Sequence, residues 1–136
     1  HTPEIEQGLS DAAGATITVN FTPHLMPMNR GILSSIYVKL AAGKTAQDLH
    51  AELEKTYKGE AFVKVLPFGS VPATRHTRGS NLCMIGVAAD RITGRVVIIA
   101  AEDNLVKGAS GQAVQNMNAL FGLPETTGLD AVAMFP

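Results

Sequence analysis

This sequence predicts an α+β domain, a mixed, mainly antiparallel sheet with helices packed on one face. Three observations lead there. Two apolar runs, 80–89 and 95–101, flank Asp90-Arg91-Ile92-Thr93-Gly94, which reads as a hairpin turn with its bulge glycine in place. The run 32–40 alternates, with Ile32, Ser34, Ile36 and Val38 facing one way and Leu33, Ser35, Tyr37 and Lys39 the other. Leu49, Leu53 and Tyr57 recur every four residues, which makes a helical stripe.

In chain order, Thr2-Pro3-Glu4 opens the first helix. The threonine hydroxyl is the expected cap, and proline has the φ of a first turn. Ile5 and Leu9 share a face, and Gly14 should stop the helix. Residues 15–21 place Ile17, Val19 and Phe21 on one side and are expected as a strand. Residues 22–31 hold two prolines and no period, so they form a loop before strand 32–40. Thr45 and Asp48 make a capping box for the second helix, which Gly59 ends. A third strand spans 61–66. The thirteen residues 67–79 form a loop whose length in a compact domain signals function or mobility. After the hairpin comes a helix over 107–121, stopped by Gly122 and Pro124, and a last short strand over 131–134.

With 136 residues, 46% of them hydrophobic and 17% charged, the chain has enough apolar surface for one globular domain. A net charge of −1 offers nothing to a nucleic acid or an anionic membrane. No apolar run is long enough for a bilayer-spanning helix, and no signal-peptide pattern opens the sequence. Cys83 is the single cysteine, so no internal disulfide framework exists. Its setting, Leu82-Cys83-Met84-Ile85, suits a small buried hydrophobe rather than a nucleophile. No zinc-spaced, Walker or Gly-x-Gly-x-x-Gly pattern occurs, so no metal is expected and no tight dinucleotide binding by this segment alone. The sequence opens on His1, inside a motif, and is read as a piece of a longer polypeptide.

The junction 103–113 leads a buried strand into a helix through Asn104, Lys107, Gly108 and Gly111. Free backbone N–H groups and the positive end of a helix suit an anion or the backbone of a neighbouring domain. The plainer alternative has Asn104 capping the helix and Lys107 snorkelling at the surface. His1 and Glu4 lie one helical turn apart. A helix start disfavours an imidazolium, so His1 is suited to accept a proton, with Glu4 to orient it. The alternative is a frayed terminus and a glutamate that satisfies the dipole. Arg30, Arg75, His76 and Arg78 lie in loops, where arginine forks grip carboxylate or phosphate or simply stay solvated. Ser80 and Asn81 are turn formers whose side chains commonly serve the backbone.

Five segments, in order, resemble the N-acetyl-gamma-glutamyl-phosphate reductase family. They are His1-Thr2-Pro3-Glu4-Ile5; Phe21-Thr22-Pro23-His24-Leu25 with Met28-Asn29-Arg30-Gly31; Arg78-Gly79-Ser80-Asn81; Asn104-Leu105-Val106-Lys107-Gly108-Ala109-Ser110-Gly111-Gln112-Ala113; and Gly122-Leu123-Pro124-Glu125-Thr126. The resemblance implies a fold like the C-terminal domain of glyceraldehyde-3-phosphate dehydrogenase-like enzymes. It implies a cytoplasmic, NADP-dependent reductase of arginine biosynthesis that takes an acyl phosphate to a semialdehyde through a cysteine thioester. It assigns His1 and Glu4 to catalysis, Arg30, Arg78, Ser80 and Asn81 to substrate, and Asn104, Lys107 and Gly108 to the edge of NADP. His1 matches the last histidine of the family's His-Arg-His-Thr-Pro-Glu pattern. The family's nucleophile sits in a Gly-Cys-Tyr segment of a preceding nucleotide-binding domain, which this chain lacks. The helix 107–121, with Met117, Leu120 and Phe121, would pack on that domain, and a sheet face would form a homo-oligomer. Aspartate-semialdehyde dehydrogenase has a similar Asn-Leu-x-Lys-Gly loop, so aspartyl or aminoadipyl phosphate stand as alternative substrates. A non-catalytic dimerisation or scaffold domain is the alternative of another class.

Overall fold

A computed structural model describes residues 1–134. Its elements are α1 (Thr2–Ala13), β1 (Ile32–Lys39), α2 (Ala46–Thr56), β2 (Val63–Val65), β3 (Cys83–Ala89), β4 (Arg95–Glu102) and α3 (Gly111–Leu120), with a 3₁₀ turn at Thr74–His76 and a π turn at Val106–Ser110. The strands form one sheet in the order β1-β4-β3-β2. β1 and β3 flank β4 antiparallel, and only β2 runs parallel to its neighbour. The predicted α+β class and its mainly antiparallel sheet are what the chain forms.

Pleating sends Val38, Val96 and Val87 to one face, and α2 lies on it. Ala46, Val87 and Val96 are buried there, with Val38, Leu40, Leu49 and Leu53 packed around them. Burying a side chain of this size stabilises by roughly 1.5–3 kcal/mol. The helix starts where the capping box predicts. Thr45 Oγ1 accepts from the Asp48 amide at 3.1 Å, and the Asp48 carboxylate accepts from the Thr45 amide at 2.8 Å. Buried His50 Nε2 donates to the Leu66 carbonyl at 2.7 Å, which pins α2 to the end of β2. The expected stop at Gly59 falls two residues beyond the cap at Tyr57, with glycine at φ 91° carrying the chain away.

The other face is crossed by the loop after β2. The Gly69 amide bonds the Val87 carbonyl at 2.9 Å. A Cβ at Gly86 would strike the Ser70 carbonyl and lie 3.1 Å from Pro72, so that strand position has room only for glycine. The long loop is thus anchored to the sheet, and its 3₁₀ turn orders the rest. Toward β1 the same face is open, with Leu33 50% and Tyr37 76% exposed.

Several expectations change. Residues 15–21 form no strand. The Ile17 amide donates to Ser10 Oγ at 2.9 Å and the Val19 amide to Glu6 Oε1 at 3.1 Å, so side chains of α1 replace a ladder. Thr2 lies inside α1 with His1 at the cap, and no side chain caps it. None of the residues of α1 is buried, so α2 is the helix seated on the sheet. The predicted helix over 107–121 divides into the π turn and α3. Residues 131–134 make no ladder; the Met134 amide bonds the Arg78 carbonyl at 2.7 Å instead. Among the described residues, no helix is long and apolar enough to cross a membrane.

Candidate functional site

The site is organised by the first residue after β4. Asp103 is fully buried. Its carboxylate accepts from the amides of Gly79 (2.6 Å), Leu105 (2.8 Å) and Val106 (3.1 Å), and pairs with Arg30 Nε at 2.9 Å. One side chain therefore ties together three loops, 29–31, 78–81 and 103–110. Burial pushes this carboxyl upward. The Gly79 and Leu105 amides, the Arg30 guanidinium and the Val106 amide outweigh it, and the net effect is a pKa below the ordinary carboxylate value.

A depressed carboxylate pKa stabilises the fold above the unfolded value of about 3.9, and the contribution disappears as pH falls through the folded-state value. Asp103→Asn is therefore expected to cost about 3 kcal/mol at neutral pH, because it leaves a guanidinium and an amide without their acceptor. The penalty should begin to shrink below about pH 4, where the carboxyl protonates in the unfolded chain, and disappear as pH falls through the lower native value. Denaturant unfolding of both forms at pH 7 and pH 3 checks this; an equal penalty at both values would refute it.

Next to the carboxylate, Asn104 Oδ1 accepts from the Gly31 amide at 2.7 Å. Asn104 thus fixes the loop that carries Arg30 instead of capping a helix. Gly31 is at φ 116°, and a Cβ there would lie 2.8 Å from Thr74 Cβ, so glycine permits this loop to touch the 3₁₀ turn. The Arg78 backbone is held on both sides, its amide by the Thr74 carbonyl at 3.1 Å and its carbonyl by Met134. Its Nε is buried without a hydrogen-bond partner.

Ser80 is buried, and its hydroxyl donates to the Thr77 carbonyl at 2.8 Å and accepts from the Leu82 amide at 3.3 Å. Asn81 reaches the start of α3. Its Nδ2 donates to Gln115 Oε1 at 3.1 Å, while its buried Oδ1 lies against Gly111 with no partner. Lys107 Nζ donates to the same Gln115 oxygen at 2.8 Å and sits 5.8 Å from the Phe62 ring centroid. The lysine is therefore tethered rather than free at the surface. Gln115 Nε2 continues to Glu125 at 2.9 Å. Gly108 is exposed, its amide on the Asp103 carbonyl at 3.0 Å.

The remaining candidates stand apart. The His1 ring meets Phe21 edge-on, with centroids 6.5 Å apart. Glu4 lies 3.8 Å from the main-chain nitrogen of His1, and both side chains are exposed. No described hydrogen bond or ion pair joins either to the Asp103 cluster. Arg75 and His76 lie in the 3₁₀ turn, where His76 Nδ1 accepts from the Ala73 amide at 3.2 Å. Cys83 faces Glu102 across the ladder. Burial, then the Glu102 carboxylate, push its thiol upward against the opposing pull of Lys107, so it stays protonated near neutral pH. Burial likewise raises Glu102. Among the described residues no cluster of three His, Cys, Asp or Glu side chains could hold a metal ion.

Asp103 and Gln115 are not singled out by the sequence reading. The available signal for Asp103 is an acid placed where a buried strand meets a glycine loop. For Gln115 it is an amide eight residues, about two helical turns, beyond Lys107.

The family model for the semialdehyde dehydrogenase dimerisation domain matches residues 1–104, which covers the whole sheet and ends on Asn104. The chain belongs to this family. Over all 136 residues this semialdehyde dehydrogenase domain is 60% identical to the N-acetyl-gamma-glutamyl-phosphate reductase of Rhodospirillum rubrum, where it corresponds to 39% of that protein. It is 59% identical to the probable chloroplastic N-acetyl-gamma-glutamyl-phosphate reductase of Arabidopsis thaliana, over 34% of that protein. Against the reductase of Geobacter sulfurreducens it is 58% identical over 39%. The domain thus spans well under half the length of these curated relatives.

Proposed function

We propose that this domain is the substrate-binding and self-associating part of a cytoplasmic, NADP-dependent reductase that converts N-acetyl-gamma-glutamyl phosphate to its semialdehyde in arginine biosynthesis. The observation that carries this reading is the Asp103 knot, which gathers the loops of Arg30 and Arg78 in a domain so similar along its length to proteins named for that reaction. The substrate carries a carboxylate and an acyl phosphate, and two arginines, each with a buried Nε that makes no hydrogen bond, suit two anions.

In this mechanism a thiolate of the preceding domain attacks the acyl carbon, phosphate leaves, and a thioester remains on sulfur. NADPH, when bound, supplies the hydride that reduces the thioester. His1 accepts the thiol proton, with Glu4 orienting it. Arg30 and Arg78 hold the anionic groups, and Ser80 and Asn81 shape their loop. Asn104, Lys107 and the exposed backbone at Gly108 fit an edge contact with the cofactor, most of which the preceding domain would hold. The open sheet face with Leu33 and Tyr37 suits a second copy of the chain. Leu120 and Phe121 at the end of α3, 81% and 72% exposed, suit cover by the nucleotide-binding domain.

The test is the full-length enzyme assayed with N-acetyl-gamma-glutamyl phosphate and with aspartyl phosphate. We expect kcat/KM to favour the first by about 10³-fold or more, since a site built to pair polar groups rejects a substrate that leaves them unpaired. Comparable turnover of aspartyl phosphate, or turnover of neither, would overturn the proposal.

A further inference from the structure

Resting on the reading of Arg30 as an anion-binding group, we infer that Asp103 is the positioning residue for that arginine, holding Nε so that the guanidinium plane is set toward the substrate's carboxylate or phosphate. Asp103 has no exposed surface, and three backbone amides from two loops hold it in place. It is therefore a fixed post, not a mobile surface partner. Arg30 Nε lies 2.9 Å from its carboxylate as a charge pair without hydrogen-bond alignment, while a quarter of the arginine side chain stays open to solvent. A guanidinium is planar and rigid, so a buried charge that restrains Nε narrows the directions the fork can take. The neighbouring backbone is fixed too, by the Gly31 amide on Asn104. An exposed ion pair would leave the fork free to wander; this arrangement orders it before a ligand arrives.

Misplacement of a binding group by about 1 Å costs on the order of 10²-fold, which sets the scale of the effect. The full-length enzyme is assayed in reverse, with N-acetylglutamate semialdehyde, inorganic phosphate and oxidised NADP, where acyl phosphate and NADPH form. Asp103→Asn is expected to raise the KM of either phosphate or the semialdehyde by about tenfold or more, while kcat per folded enzyme changes less than about threefold. In an Arg30→Gln background the same substitution should add less than about twofold, because no fork remains to orient. Arg30→Lys, which keeps the charge but has no Nε, should raise the same KM by about tenfold. That variant decides the matter should Asp103→Asn fail to fold. Unchanged KM in either single variant, a loss of Tm with KM intact, or multiplicative effects in the double variant would each overturn the inference. Failure of the underlying functional reading looks different: the unsubstituted enzyme would not turn over these substrates.

Discussion

Purified alone, this 136-residue chain is expected to reduce no N-acetyl-gamma-glutamyl phosphate with NADPH, at least about 10⁶-fold below the full-length enzyme. The reason lies in its sulfur. Cys83 is the single thiol, it is partly buried in β3 opposite Glu102, and burial with that carboxylate keeps it protonated. Its strand setting gives it neither a helix N-terminus nor a hydrogen-bonded base to activate it. On the proposed reading, the attacking thiolate is then expected from outside this segment. The assay is NADPH consumption with acyl phosphate, and a Cys83→Ala variant of the full-length enzyme serves as the companion measurement. Turnover by the isolated chain, or loss of activity on replacing Cys83, would show that the thiol chemistry lies here after all.

Replacing His1 with asparagine in the full-length enzyme is expected to lower kcat by about 10²–10⁴-fold, the usual contribution of a positioned general base. His1 sits at the head of α1, exposed, with one ring contact to Phe21 and no tie to the Asp103 knot. That openness suits a side chain whose partner comes from a neighbouring domain. KM for the substrate should change little, because the anion grips are elsewhere. Glu4→Gln should act in the same direction more weakly. An unaltered kcat in the asparagine variant would remove His1 from the proton-transfer role.

How much of this was legible without coordinates depends on the range of the forces. β1, the β3–β4 hairpin and the start of α2 follow from pleat period, turn chemistry and a reciprocal cap, all local in sequence. Residues 15–21 alternate as well as β1 does, yet a strand needs a partner, and Ser10 and Glu6 supply the bonds instead. The helix expected over 107–121 begins with a π turn, with Asn81, thirty residues upstream of Gly111, lying against the start of α3. The candidate residues Arg30, Arg78, Ser80, Asn81, Asn104, Lys107 and Gly108 converge as one neighbourhood. The acid that gathers them is visible only once three distant loops are folded together. Ser80 engages the main chain, in line with its turn-forming type.

β1 ends the sheet, so among the described residues its outer rim of amides and carbonyls has no ladder partner, and Ile32, Leu33 and Ile36 stand exposed along the strand. Such a rim templates strand addition by any passing chain, and one lysine at its far end is weak protection. The isolated domain is therefore expected to be prone to edge-to-edge aggregation. Any stretch of chain that covers the rim would shield it from such pairing.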